Sequence, residues 1–278
     1  MTINSANCNS LGQLGRPSNK KLSYREPHLA LFDTDYSKNS KGEDNYIRGY
    51  RVYAGGLKDS GHSAVLDVEG NLWLTGCDRW QQLGLGSSSA GAAGYTWKNG
   101  RLWQEKFQRN DYVMDLIRQK IANTSDDCNP VTSTANRKLK VGQQDNDTLN
   151  AKRMLIRDVA IGGDHTLVLA SNQKDVFAFG KGSEGQLGIA SKPFVSAPVH
   201  SKELSIGKRN RNSYRVKEDE KTSLASNENI AAVCAVHHCS FTLNHRGEIL
   251  NETGKCRQLI EDAARACREQ AVKDKLML

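Results

Sequence analysis

Short apolar runs alternate with polar residues and glycine-rich turns along much of this chain. The run from Asp158 to Gly188 shows the pattern most fully. Val159 and Ile161, then Leu167 and Leu169, then Val176, Phe177 and Phe179 fit short half-buried strands. Glycines and the polar segment Asn172–Asp175 mark the turns, and no stretch inside the unit has room for a helix.

The unit recurs. A shift of 74 lays Ala232-Val233-Cys234 to Leu243 over Asp158-Val159-Ala160 to Leu169, and Gly254 over Gly180. Shifting back by 103 lays His62-Ser63-Ala64-Val65-Leu66 over His165 to Leu169, and by 104 lays Gly76 over Gly180 and Gln82-Leu83-Gly84 over Gln186-Leu187-Gly188. A partial copy opens the chain at Gly12-Gln13-Leu14-Gly15. Such self-similarity predicts stacked supersecondary units, because one unit cannot bury its apolar face alone.

This grammar of Gly-Gly, His-Ser or His-Thr, strand and Gly-Gln-Leu-Gly resembles the repeat of the regulator of chromosome condensation. The resemblance implies an all-β fold, an RCC1-like β-propeller with one blade of four-stranded antiparallel sheet per repeat and seven blades in the family. Three repeats are recognisable here, at 54–86, 158–188 and a worn copy at 230–260, with one partial copy before them. The worn copy has Cys239 where His165 stands, Val236-His237 for Gly162-Gly163, and Arg257-Gln258-Leu259-Ile260 for Gly-Gln-Leu-Gly.

The expected division is a partial blade and loop at 1–46, a repeat blade at 47–86, a flexible and helical insertion at 87–150, a repeat blade at 151–200, a basic loop insertion at 201–228, and a degenerate blade with a C-terminal helix at 229–278. Propellers of this type close by pairing N-terminal with C-terminal strands, yet Ile3-Asn4-Ser5-Ala6 makes a poor strand. Pro27 to Phe32 reads as an outer strand. In the insertion, Trp103, Phe107, Met114, Ile117 and Ile121 predict one face of a helix over about 103–122, packed on the propeller. A second helix is expected over 257–275.

Composition narrows the partner. Hydrophobic content is 37%, mean hydropathy is −0.62 and net charge is +8, so part of the chain is solvated insertion and acidic partner surfaces are favoured. Seven cysteines, an odd number, sit at 8, 77, 128, 234, 239, 256 and 267, which points to free thiols in a reducing compartment, cytoplasm or nucleus. No apolar run is long enough for a membrane span and no leader pattern opens the sequence. The sequons at Asn123, Asn146 and Asn251 then carry no weight.

Three chemistries are weighed. Gly180-Lys181-Gly182-Ser183-Glu184-Gly185 spells a dinucleotide fingerprint, but Gln186-Leu187-Gly188 and Pro193 forbid the helix that must receive the pyrophosphate. Cys234, His237, His238, Cys239, His245 and Cys256 cluster in sequence, yet zinc needs four convergent ligands, and packing thiols fit the repeat better. His62 and His165 hold equivalent repeat positions, which predicts a structural hydrogen bond between blades rather than two general bases. Gln13, Gln82 and Gln186 are expected to bond neighbouring backbone. No cofactor is expected.

What remains is binding. Lys58 and Asp59 lie in a loop, Leu57 to Gly61, that the copy at 158–169 lacks. Lys208, Arg209, Arg211, Arg215 and Lys217 put five bases in a ten-residue stretch, followed by Glu218-Asp219-Glu220. These residues predict a non-catalytic interaction protein that binds a protein partner through rim loops. The resemblance adds guanine-nucleotide exchange on a small GTPase as an alternative, and the charge adds chromatin or nucleic acid.

Overall fold

The computed structural model describes residues 4–8, 13–16, 23–33, 47–57, 60–86, 95–98, 101–125, 154–190, 192–206 and 229–255. Fourteen strands and one helix are named among them. Strands β1 (Asn4–Cys8) and β2 (Ser23–Leu29) form an antiparallel pair. Next comes a five-stranded sheet of β3 (Gly49–Gly55), β4 (His62–Asp67), β5 (Leu72–Cys77), β6 (Tyr95–Lys98) and β7 (Arg101–Arg109), in the order β3-β4-β5-β7-β6. A four-stranded sheet follows, β8 (Ile156–Ile161), β9 (His165–Ala170), β10 (Val176–Lys181) and β11 (Phe194–His200), in chain order. The last is three-stranded: β12 (Ala232–Val236), β13 (Cys239–Leu243) and β14 (Ile249–Gly254). All strand pairings in these sheets are antiparallel.

The strands were expected to be half-buried; β4, β5 and β9 are buried on both faces. The five- and four-stranded sheets are each packed between neighbours, and the period-two alternation of their strands chooses between the neighbours instead of between core and solvent. In β4, Val65 packs with Ala30 and Phe107, whereas Ala64 and Leu66 join Val159, Val168, Phe177 and Phe179 of the next blade. In β9, Val168 faces back into that cluster, and Leu167 and Leu169 face forward to Ile230 and Val233. The core is therefore a series of interfaces between blades.

Two expectations are corrected. Residues 101–109 are a strand, not the start of a helix: β7 pairs with β5 (Cys77 with Trp103, Trp73 with Arg109) and completes the blade. The spacing of four between Trp103 and Phe107 is one helical turn and also an even strand interval, so periodicity alone does not separate the two. Helix α1 (Asp111–Ser125) begins only after Asn110, whose Oδ1 accepts from the Val113 N–H at 3.1 Å as an N-cap. Its buried residues Val113, Met114 and Ile117 pack in cis at the junction of the first two full blades. Second, the segment read as a poor strand is strand β1, Asn4–Cys8, which pairs antiparallel with β2. The expected C-terminal helix at 257–275 lies outside the described residues.

Candidate functional site

The blade junctions are where the repeat concentrates its buried polar chemistry. His62 and His165 are both fully buried at the starts of β4 and β9. His165 Nε2 lies 2.8 Å from Ser240 Oγ on the following blade, and Ser240 Oγ donates back to the Gln186 carbonyl at 2.6 Å. The hydroxyl has one proton, so Nε2–H donates to it and the chain runs imidazole, hydroxyl, carbonyl. One junction earlier, His62 Nε2 lies 3.0 Å from Thr166 Oγ1, which donates to the Gln82 carbonyl at 2.8 Å. Each junction is thus closed by a histidine and a glutamine carbonyl of one blade gripping a hydroxyl of the next.

The remaining atoms of the Gly-Gln-Leu-Gly turn serve the same end. Oε1 of Gln82 accepts from the Trp80 N–H and Oε1 of Gln186 from the Glu184 N–H, both at 2.9 Å. Asp78 Oδ1 caps the first turn through the Leu83 N–H at 2.9 Å, a role that Gly182 cannot fill in the second. Gly76, Gly180 and Gly254 have φ of 106°, 102° and 88°. A Cβ on Gly180 would stand 2.5 Å from the Asp164 carbonyl oxygen, so the strand can close on its neighbour only without one.

Burial governs the titration of these groups. It pushes His62 down to about 4, against the opposing pull of the Ser60 carbonyl 3.2 Å from Nδ1. His165 falls to about 3, first through burial and then through His62 and His238. Both rings are neutral at pH 7 and engaged with hydroxyls, an arrangement that holds blades together. Burial also drives the Cys77 thiol up to about 11 and raises Cys234, so neither is a ready thiolate.

The pairing of His62 and His165 across junctions was legible, but their partners Thr166 and Ser240 were not singled out. The signal was present: a hydroxyl follows the histidine position in every copy, as His62-Ser63, His165-Thr166 and Cys239-Ser240. In the cysteine-rich stretch, Cys234 lies in β12 and Cys239 opens β13, both as free thiols, and Cys256 lies outside the described residues. The residues after β10 form a turn at Gly182–Gly188, where the dinucleotide fingerprint would need a helix.

All of the predicted partner-binding residues, Lys58, Asp59, Lys208, Arg209, Arg211, Arg215 and Lys217, lie outside the described residues, but the stems of their loops do not. Leu57 and Ser60 are tied to each other, and Ser60 Oγ donates to the Gly163 carbonyl at 2.7 Å, beside the start of β9. The basic stretch leaves after Ile206 and returns at Ile230. The Ile206 N–H donates to Lys174 O and the Ile230 N–H to Gln173 O, each at 2.8 Å, at the far end of β9. A six-residue strand separates the two stems, roughly 20 Å of chain. The two sets of flanking residues therefore sit at opposite ends of β9.

With this geometry in hand, residues 156–186 match the family model described as the Regulator of chromosome condensation (RCC1) repeat. Over those residues the chain carries the repeat that the model describes. Protein RCC2 of Homo sapiens is 33% identical over 136 residues, 49% of this chain and 21% of that protein. The Protein RCC2 homolog of Xenopus laevis is 32% identical over 126 residues, 45% of this chain and 19% of the relative. The chain thus spans about a fifth of the length of these curated relatives. Among solved structures, Prp20p from Saccharomyces cerevisiae, reported with its binding to Gsp1p and histones, overlays with a TM-score of 0.48 at 15% identity over 84% of this chain and 37% of its own. Human WBSCR16 overlays with a TM-score of 0.48 at 17% identity over 90% of this chain and 44% of its own. Among the described residues the sheets stack as successive antiparallel blades, as the repeat predicts. No helix among the described residues is long and apolar enough to cross a membrane.

Proposed function

We propose that this RCC1-repeat chain is a non-catalytic interaction propeller that binds a protein partner through its rim loops. One observation carries the reading. The buried histidines that an enzyme would employ as bases are spent on junction hydroxyls, while the residues flanking 58–59 and 207–228 are hydrogen-bonded at opposite ends of β9. A fixed stem places a variable loop at a defined point on a rigid scaffold, which is how repeat proteins build binding surfaces. In this reading Lys58 and Asp59 contact the partner from one rim, and Lys208, Arg209, Arg211, Arg215 and Lys217 from the other.

The test is affinity capture from the native cell with the full chain, beside a variant whose five bases at 208–217 are replaced by serine. Capture of a defined partner that the variant loses supports the reading. A partner set identical for both chains removes the basic loop from it. Guanine-nucleotide exchange is the competing activity. It requires faster nucleotide release from a captured small GTPase, which a release assay measures directly.

A further inference from the structure

The two complete junctions act as controls for one another. Lys181 and Lys255 hold the same place in successive repeats: each follows a positive-φ glycine, and their N–H groups donate to the carbonyls of Asp164 and His238 at 2.9 and 3.3 Å. Trp80 and Glu184 are likewise equivalent, each donating its N–H to the Oε1 of the turn glutamine at 2.9 Å. At the second junction the equivalent side chains neutralise one another, with Lys255 Nζ 2.5 Å from Glu184 Oε2. That hydrogen bond is the main cause of the lowered Glu184 carboxyl.

The first junction departs from this pattern. Where Glu184 would stand, Trp80 presents a partly exposed indole, and Lys181 Nζ lies 5.3 Å from its centroid. Where Ser183 would stand there is Arg79, exposed, its guanidinium carbon 5.4 Å from the same ring. No salt bridge to Arg79 or Lys181 is formed among the described residues. Glu184 is engaged by Lys255 and acts on Lys181 only through its longer-range field. The repeat itself shows that the fold accepts a neutralised pair here. Two cations on one aromatic ring are therefore not a requirement of blade packing.

We propose that Arg79, Trp80 and Lys181 form a docking point for an acidic peptide segment of a protein partner. The partner's carboxylate takes the place of the missing glutamate between the two cations, and its methylenes lie against the indole. The site shares the rim of the Leu57–Ser60 loop, since Lys181 bonds Asp164 and Ser60 bonds Gly163. It rests on the interaction reading above and specifies the chemistry of the partner. A nucleic-acid strand is the poorer fit. Its regularly spaced phosphates call for a track of cations, but the next junction along the rim carries the Glu184 carboxylate. Burial, and then the neighbouring Lys181, lower the pKa of His238 and so work against a third positive charge here.

The test titrates the full chain with a fluorescein-labelled oligoglutamate peptide and, separately, with a single-stranded oligonucleotide of equal charge, by fluorescence anisotropy. The double variant R79S/W80E installs the residues that the next repeat already carries, so its thermal unfolding should stay within a few degrees of the parent. Peptide affinity should fall roughly tenfold or more. Lys181→Gln, which leaves the indole in place, should weaken binding in the same direction. Unchanged peptide affinity in R79S/W80E overturns the proposal, as does tighter binding of the oligonucleotide with the same sensitivity to both variants. In the capture experiment, a partner retained in full by R79S/W80E overturns this site and leaves the general interaction reading standing. Peptide binding that R79S/W80E abolishes, beside a parent chain that captures no partner, separates the two the other way.

Discussion

Replacing Thr166 by valine keeps the β-branched shape and removes one hydroxyl, and that hydroxyl sits at the centre of a junction. It lies 3.0 Å from His62 Nε2 and donates to the Gln82 carbonyl at 2.8 Å, with His62 and Thr166 fully buried. Valine leaves both groups buried without that partner. Each orphaned polar group costs about 1–3 kcal/mol, so the substitution should destabilise by about 2–6 kcal/mol. Urea unfolding at pH 7 measures this as a fall in midpoint at unchanged slope. A double-mutant cycle with His62→Phe isolates the pair, because the second change removes the donor that the first orphaned. A coupling of about 1 kcal/mol or more is expected. Because the loss falls on an interface, amide exchange should rise along β4, β8 and β9 together. A Thr166→Val change within about 0.5 kcal/mol of the parent, or a cycle with no coupling, would refute the staple.

Acidification tests the same junctions by titration. The folded values of about 4 for His62 and about 3 for His165 lie below the unfolded value, so the unfolded chain binds more protons in between. Stability from these rings is then complete above pH ~6.5 and declines as pH falls, by about 3 kcal/mol per ring at pH 4. Unfolding curves from pH 7 to 4 should show this fall, and His165→Gln should flatten it. Gly180→Ala should cost at least ~2 kcal/mol, because a positive φ and a carbonyl contact at 2.5 Å act together. Gly247→Ala, with φ +80° and nothing within 4 Å, should cost only the strain of about 1 kcal/mol, and thermal melts compare the two. Asn110→Ala loses the cap of α1 and the Nδ2 bond to the Leu83 carbonyl at 2.9 Å, so about 2–4 kcal/mol is expected, with helix amides the first to exchange.

Much of this fold is local in the sequence. Strands β4, β5, β9 and β10 announce themselves by short β-branched and aromatic runs between glycines. Equivalent glycines such as Gly76 and Gly180 are legible because only one backbone conformation closes the blade there. The role of β7 was not legible. Trp103 and Phe107 obey helix and strand spacing alike, and the decision rests on pairing with β5, a long-range event that periodicity does not encode. Burial on both faces was hidden for a related reason, since Val65 and Val168 look half-exposed until a neighbouring blade covers them. At the site, the repeated histidine positions pointed to a junction bond, yet the acceptor hydroxyls emerged only when two copies were brought face to face. Arg79, Trp80 and Lys181 stood out for the same reason. Their meaning lies in how they differ from Ser183, Glu184 and Lys255 one junction later.

On the proposed reading this chain is a scaffold that binds partners without acting on nucleotide. Its most direct test is affinity capture from the native cell in parallel conditions, with GDP plus magnesium and with a chelator that strips nucleotide. The account predicts the same protein partners in both. A small GTPase captured only in the stripped condition would contradict it and make this chain an exchange factor.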